Sequence, residues 1–250
     1  TLGADEGGEP PSALAALLEA ELPAGRAAAL LREHGFQQPE QALEQLRALA
    51  ARPFGPLGRT AGADPGRLAL PLLDEISRSP DPDAALRHVT ELSLRLGPLQ
   101  WLWSMLADSR PTLRLVCSLF GSSDHLARLF IAHPELVDQL LVRGRARARL
   151  DAAELGRALE RLLARLDGED TEAALETLRR FRNEQVLRIG LHDIAGDLAP
   201  EQVWRQLSDL ARRIVERTYR LVLGEATARY GAPRHADGSP ATMVLLALGK

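Results

Sequence analysis

The sequence predicts a mainly α protein, a helical bundle with one strand at its C-terminal end. Three observations carry this. Hydrophobic residues make up 45% of the 250 residues but aromatics only 4%, so the core must be built from Leu, Ala, Val and Ile, which suits helices packed on helices. Apolar residues recur with helical spacing in segments bounded by Pro, Gly and capping Ser or Asp. Only residues 242–248 (TMVLLAL) read as a strand, and their unbroken apolar run suits one covered on both faces.

In chain order, Ser12 opens a short helical pattern (SALAALLEAEL) that Pro23 stops. A second helix over 24–34 ends at Gly35, a residue that leaves a helix readily. Pro39 starts a third, PEQALEQLRALAA, which runs to Pro53. The Pro- and Gly-rich stretch PFGPLGRTAGADPG reads as a linker. Residues 67–79 are helical, with Pro71 a candidate kink. Asp81 caps the next helix, Pro82 takes its first position and Gly97 closes it. Residues 98–108 carry Trp101 and Trp103, and 111–120 form a short apolar helix. Ser122 or Ser123 caps SSDHLARLFIAH, and Pro134 opens PELVDQLLV. RGRARARLDAA is a second linker, and 154–166 an amphipathic helix. A last long helix spans 200–230, with Val203, Leu207, Leu210, Ile214 and Leu221 on its buried side, stopped by Gly231 and Pro233. HADGSP is a turn. Domain divisions are expected at 1–63 (small helical connector and linker), 64–143 (helical bundle), 144–240 (long-helix region) and 241–250 (first strand of a further domain).

The stretch that breaks its own pattern is 174–197, ALETLRRFRNEQVLRIGLHDIAGD, capped by Asp170 or Thr171. Leu175, Leu178, Phe181 and Ile189 share one face; Leu187, Leu191 and Ile194 share another. A helix apolar on two faces belongs between two layers. Arg182 and Gln185 fall within the first stripe, and Arg180 and Glu184 extend the second. Buried polar groups need partners. One partner is local, Arg180 with Glu184 one turn on.

Much chemistry is excluded. A formal net charge of −3 gives no global attraction to nucleic acid, and the alternating Arg143, Arg145, Arg147 and Arg149 lack interleaved aromatics, so they read as a solvated loop. No apolar run approaches the roughly 20 residues of a membrane span. Cys117, the single cysteine, reads as a buried inert thiol and fits a reducing cytoplasm. His34, His88, His125, His133, His192 and His235 show no metal-ligand spacing, so no structural zinc is expected. GSSDH at Gly121 has the composition of a phosphate-holding turn, which capping of the following helix explains. At the C-terminus a buried strand running into Gly249 and Lys250 is a candidate nucleotide-binding entrance, since glycine admits a phosphate and lysine supplies charge. A chain that starts at Thr1 and stops with a strand in progress is expected to be a piece of a longer protein.

The segments LRRFRNEQVLRIGLHDIAGDL, QLSDLARRIVE, ARYGAP and VLLALGK, in this order, with FGSSDHLARLFIAHPELVDQLL before them, resemble the bifunctional glutamine synthetase adenylyltransferase/adenylyl-removing enzyme family. The resemblance covers about residues 64–250. It implies two tandem halves, each a helical region leading into a nucleotidyltransferase domain; one half removes AMP from a tyrosine of glutamine synthetase by phosphorolysis, and the other attaches AMP from ATP. The wording of the long polar helix resembles the second, adenylylating half. The implied fold is a helical bundle leading into the first β-strand of a truncated nucleotidyltransferase α/β domain. The implied cofactors are Mg²⁺ and ATP; the implied partners are glutamine synthetase and a nitrogen-signalling regulatory protein, with no nucleic acid and no membrane. In the family, Gly249 and Lys250 would be followed by Leu-Gly-Gly and then by an Asp-x-Asp pair that holds magnesium. The sequence stops before that pair, so no catalytic residue is expected within it and it is expected to be inactive alone. Arg180, Arg182, Arg188 and Asp193 are candidates to brace the nucleotidyltransferase sheet or line its cleft, the alternative being interdomain salt bridges. The competing readings are a non-catalytic helical interaction module and an Arg-rich nucleic-acid binder, the latter opposed by the acidic net charge.

Overall fold

Prolines and short polar caps set the helix starts. The computed structural model describes residues 13–18, 22–52, 55–58, 67–95, 100–133, 150–166 and 170–246. They fall into two compact units, one within Thr1–Ala148 and Gly190–Leu198, the other within Arg149–Ile189 and Ala199–Lys250.

The first unit begins with a short 3₁₀ helix, Ala13–Leu18, tighter than the α-helix the Ala- and Leu-rich pattern predicts there. α1 (Ala24–Glu33) ends at Gly35, whose φ of +88° suits a residue without Cβ. α2 (Pro39–Ala50) has Pro39 at its first position. α3 spans Ala69–Ser77, so Pro71 falls in the first turn, where no intrahelical N–H is lost and no kink is needed. α4 (Pro82–Arg95) is capped as the sequence predicts: Asp81 Oδ1 accepts from the Ala84 N–H at 2.9 Å. α5 (Gln100–Asp108), α6 (Arg110–Ser122) and α7 (Asp124–Ala132) complete the unit. Of the two cap candidates before α7 it is Ser123 that accepts, from the Leu126 N–H.

α6 packs against α3, α4, α5 and α7, and α4 against α2 and α7. Leu72, Ile76, Leu86, Leu92, Leu113 and Phe120 fill the interior, with Phe120 and Phe130 edge to face at 5.2 Å between centroids. Gly121 allows one close approach: a Cβ there would lie 2.8 Å from Ser79 Oγ and 3.0 Å from the Asp81 carbonyl oxygen. Two polar groups are built into this core. His88 Nδ1–H donates to the Phe120 carbonyl at 2.9 Å, and its Nε2 lies 3.2 Å from Asp124 Oδ1. Buried Glu75 accepts from Arg110 Nε at 2.8 Å and Arg114 Nε at 3.2 Å, and the bond to Glu75 holds Arg110 above the usual guanidinium range. Cys117 is fully buried, and burial pushes its thiol pKa up, so it is an inert packing residue.

The second unit contains α8 (Ala152–Leu163), most of α9 (Thr171–Ile194) and α10 (Pro200–Tyr230). Asp151 and Glu154 form a reciprocal capping box at the start of α8: Asp151 Oδ1 accepts from the Glu154 N–H at 2.6 Å and Glu154 Oε2 from the Asp151 N–H at 3.0 Å. α8 presents Leu155, Leu159 and Leu163 at helical spacing and packs on α10. α10 runs from Pro200 to Gly231, as its sequence signals predict. Its buried side is narrower than predicted. Val203 and Leu210 are buried and Ile214 and Leu221 half-buried, but Leu207 is exposed, and Gln206 occupies a buried position instead.

The strand expected over residues 242–248 does not form among the described residues. Residues 241–246 make no ladder; the one bridge nearby joins Arg234 and Pro240 across the HADGSP turn, where Gly238 has φ +83°. A strand requires a neighbour to take its backbone groups, and no described segment is placed to do so. Met243, Val244, Leu245 and Leu246 are consequently exposed. Residues 247–248 lie outside the described residues, as do PELVDQLLV and Arg143, Arg145, Arg147 and Arg149.

Candidate functional site on helix α9

α9 is a single 24-residue helix. Asp170 caps it, its Oδ1 accepting from the Ala173 N–H at 2.8 Å. Its end is fixed by Gly196, whose φ is +76°. The Gly196 N–H reaches back to the Asp193 carbonyl and the Asp197 N–H to the His192 carbonyl, a Schellman arrangement. Asp197 Oδ2 also lies 2.8 Å from Nδ1 of buried His192. This end, Gly190–Ile194, belongs to the first unit, where a Cβ on Gly190 would come within 2.5 Å of Leu126 Cδ1.

The two apolar stripes are present. Leu178, Phe181 and Ile189 are buried on one, Leu187 and Leu191 on the other. The polar residues separate. Arg180 and Arg182 are exposed, and Arg182 Nη1 donates to Asn183 Oδ1 at 3.1 Å, so Arg182 does not lie in the buried stripe as its position in the pattern predicts. A long side chain can turn outward from a stripe edge. Asp193 is exposed too. Gln185, Arg188 and His192 are the buried polar residues of this stretch.

Arg188 is 6% exposed. Its Nε donates to Gln185 Oε1 at 2.8 Å, one turn back, and one of its terminal nitrogens donates to Gln206 Oε1 on α10, also at 2.8 Å. The Leu150 N–H approaches the same Gln206 oxygen at 3.4 Å. Burial pushes the Arg188 pKa down to about 10, against the pull of Glu184. Glu184 is raised above the usual carboxylate range by burial, against the attraction of Arg180 and Arg188. The local pairing of Arg180 with Glu184 is therefore electrostatic, with Arg188 sharing it. Gln206 was not legible as a site residue, although its interval from Val203 and Leu210 places it on the apolar side of α10.

The arrangement holds α9 to α10 through a positive charge whose donors are directed at neutral amide oxygens. It has no nucleophile, and among the described residues no group of three or more His, Cys, Asp or Glu could hold a metal ion. Gly249 and Lys250 lie outside the described residues. Among the described residues no helix is long and apolar enough to cross a membrane.

Comparison with known proteins places this helical scaffold. The sequence profile of the glutamate-ammonia ligase adenylyltransferase family matches residues 113–250, which include α7 to α10. A bifunctional glutamine synthetase adenylyltransferase/adenylyl-removing enzyme of Pseudomonas putida is 31% identical over 84% of this chain and 22% of its own length. Proteins of the same description from Thioalkalivibrio sulfidiphilus and Pseudomonas aeruginosa are 31% and 30% identical, over 86% and 88% of this chain. The chain spans 22 to 23% of the length of these relatives. No solved structure matches. On the profile match and these identities, the chain belongs to the glutamate-ammonia ligase adenylyltransferase family.

Proposed function

We propose that this chain is a helical part of an adenylyltransferase that moves AMP between ATP and a tyrosine of glutamine synthetase, and that it belongs to the adenylylating half. On this reading the parent uses ATP and Mg²⁺, works in the cytoplasm, and meets glutamine synthetase and a nitrogen-signalling regulatory protein. Residues 1–63 serve as connector, 64–143 and 144–240 as the helical scaffold, and 241–250 as entry to the nucleotidyltransferase domain, with Gly249 and Lys250 at the nucleotide. Arg188 is a positioning residue inside the scaffold; Arg180, Arg182 and Asp193 are on its surface. The observation that carries the reading is the family match over residues 113–250, the segment that contains the whole polar helix.

A non-catalytic docking role is favoured by a different observation. Trp204, Leu207, Val215 and Val222 lie along one side of α10 and are all exposed. One experiment separates the two. Glutamine synthetase is incubated with labelled ATP and Mg²⁺ and either the full-length parent or the 250-residue chain. The expected result is label on glutamine synthetase with the parent and none with the chain. Transfer by the chain alone, or none by the parent, overturns the catalytic assignment. Capture of glutamine synthetase by the chain without ATP would support docking as its own contribution.

A further inference from the structure

The second unit contains a feature that the adenylyl-transfer reading does not use. A groove of about 470 Å³ opens between α8 and α10. Its charged lining is Arg157, Glu160, Arg213, Glu216, Arg217 and Arg220, so positive groups outnumber negative ones by two to one. That is a local cationic excess in a chain whose net charge is −3.

The arginines are incompletely matched. Arg213 Nη1 lies 3.7 Å from Glu216 Oε2, and Arg217 Nη2 lies 3.5 Å from Glu160 Oε2. Both contacts are long for charge-assisted hydrogen bonds, and each engages one terminal nitrogen. The Nε of Arg213 and the Nε of Arg217 are shut off from solvent and have no partner among the described residues. A buried donor without an acceptor is rare in folded proteins and costly, so a turn of the side chain that brings this edge to an acceptor is favoured. Arg157 and Arg220 are exposed at the groove and form no ion pair among the described residues. Gly156 makes the room. It sits inside α8, where glycine is a poor helix former, and a Cβ there would already touch the Arg213 guanidinium at 3.6 Å. Any larger side chain would take the space the guanidinium occupies.

We propose that this groove binds a small-molecule phosphate, a phosphate ester or diphosphate, held by the Nε edges of Arg213 and Arg217 with Arg157 and Arg220 at its rim. Guanidinium presents paired N–H donors that match phosphate oxygens, and the volume exceeds that of a bare oxyanion. Seating the anion requires the last torsions of Arg213 and Arg217 to turn their Nε edges into the groove, away from the loose contacts with Glu216 and Glu160. This binding is independent of adenylyl transfer.

The test is isothermal titration of the 250-residue chain with inorganic pyrophosphate, without magnesium, at low and at physiological salt. Saturable one-to-one binding is expected. It should weaken about tenfold or more in the double variant Arg213→Gln/Arg217→Gln and stay within about twofold in Arg205→Gln/Arg212→Gln, which removes an equal charge from exposed positions of the same helix outside the groove lining. If circular dichroism shows that the double variant has lost helix, Arg157→Gln/Arg220→Gln replaces it and must give a comparable loss. Absence of saturable binding, binding insensitive to the groove substitutions, or equal loss in Arg205→Gln/Arg212→Gln overturns the proposal. A nucleic-acid duplex that binds as tightly and competes would also overturn it, by assigning the arginines to a backbone-tracking surface.

Discussion

On α9, Arg182 is exposed and bonded to Asn183, whereas Arg188 is buried and bonded to Gln185 and Gln206. Substitution should separate them. Arg182→Ala removes one solvent-exposed hydrogen bond and should change stability by no more than about 0.5 kcal/mol. Arg188→Ala leaves a cavity, strips a donor from each of two buried glutamines and removes one of the two cations that offset Glu184. The desolvation cost of Arg188 itself is recovered, which limits the net loss. About 2–4 kcal/mol should remain. Urea denaturation of both variants measures it, and a loss in Arg182→Ala equal to that in Arg188→Ala would contradict the assignment. The sequence placed polar groups at buried positions of this helix and could not say which arginine would turn inward. That depends on Gln206, eighteen positions further on in a different helix.

At the scale of the element, starts and stops were legible because their chemistry is local. Pro39, Pro82 and Pro200 each occupy a first helical position, and Gly35, Gly196 and Gly231 each have φ between +76° and +88°. The expected strand does not form over its described residues, 242–246, for the opposite reason: a strand is stabilised by a neighbour and its own sequence cannot supply one. Glycines inside helices were the least legible feature, since their reason is a contact with a distant segment. Gly121 shows this: it reads as part of a turn, yet it sits in α6 against Ser79 and the Asp81 carbonyl. Gly121→Ala should cost about 1–3 kcal/mol, because a short side chain and a backbone oxygen must move. Gly190→Ala should cost less, although its closest approach is shorter, because what it meets is the flexible end of Leu126. Thermal unfolding of the two variants gives the order, and the reverse order would refute the packing account.

Across the whole molecule, burial is uneven. In the first unit, Leu31, Leu86, Leu92, Leu102, Leu119 and Phe130 have no exposed surface. Along α10 the buried residues are Val203, Gln206 and Leu210, all in its first half; from Ala211 to Tyr230 every residue is half-buried or exposed. A helix that long owes its persistence to packing more than to propensity, so its two halves should differ in opening free energy. Hydrogen exchange followed by mass spectrometry tests this on the 250-residue chain. Amides of α4 and α6 should be the slowest, those of residues 201–210 intermediate, and those of 216–230 should exchange first among the helices. The same measurement on the full-length parent bears on the family reading. If Trp204, Leu207, Val215 and Val222 are covered there, protection over 211–230 should rise toward that of the first unit. Unchanged exchange over 211–230 in the parent would mean that this side of α10 faces solvent in the enzyme as well.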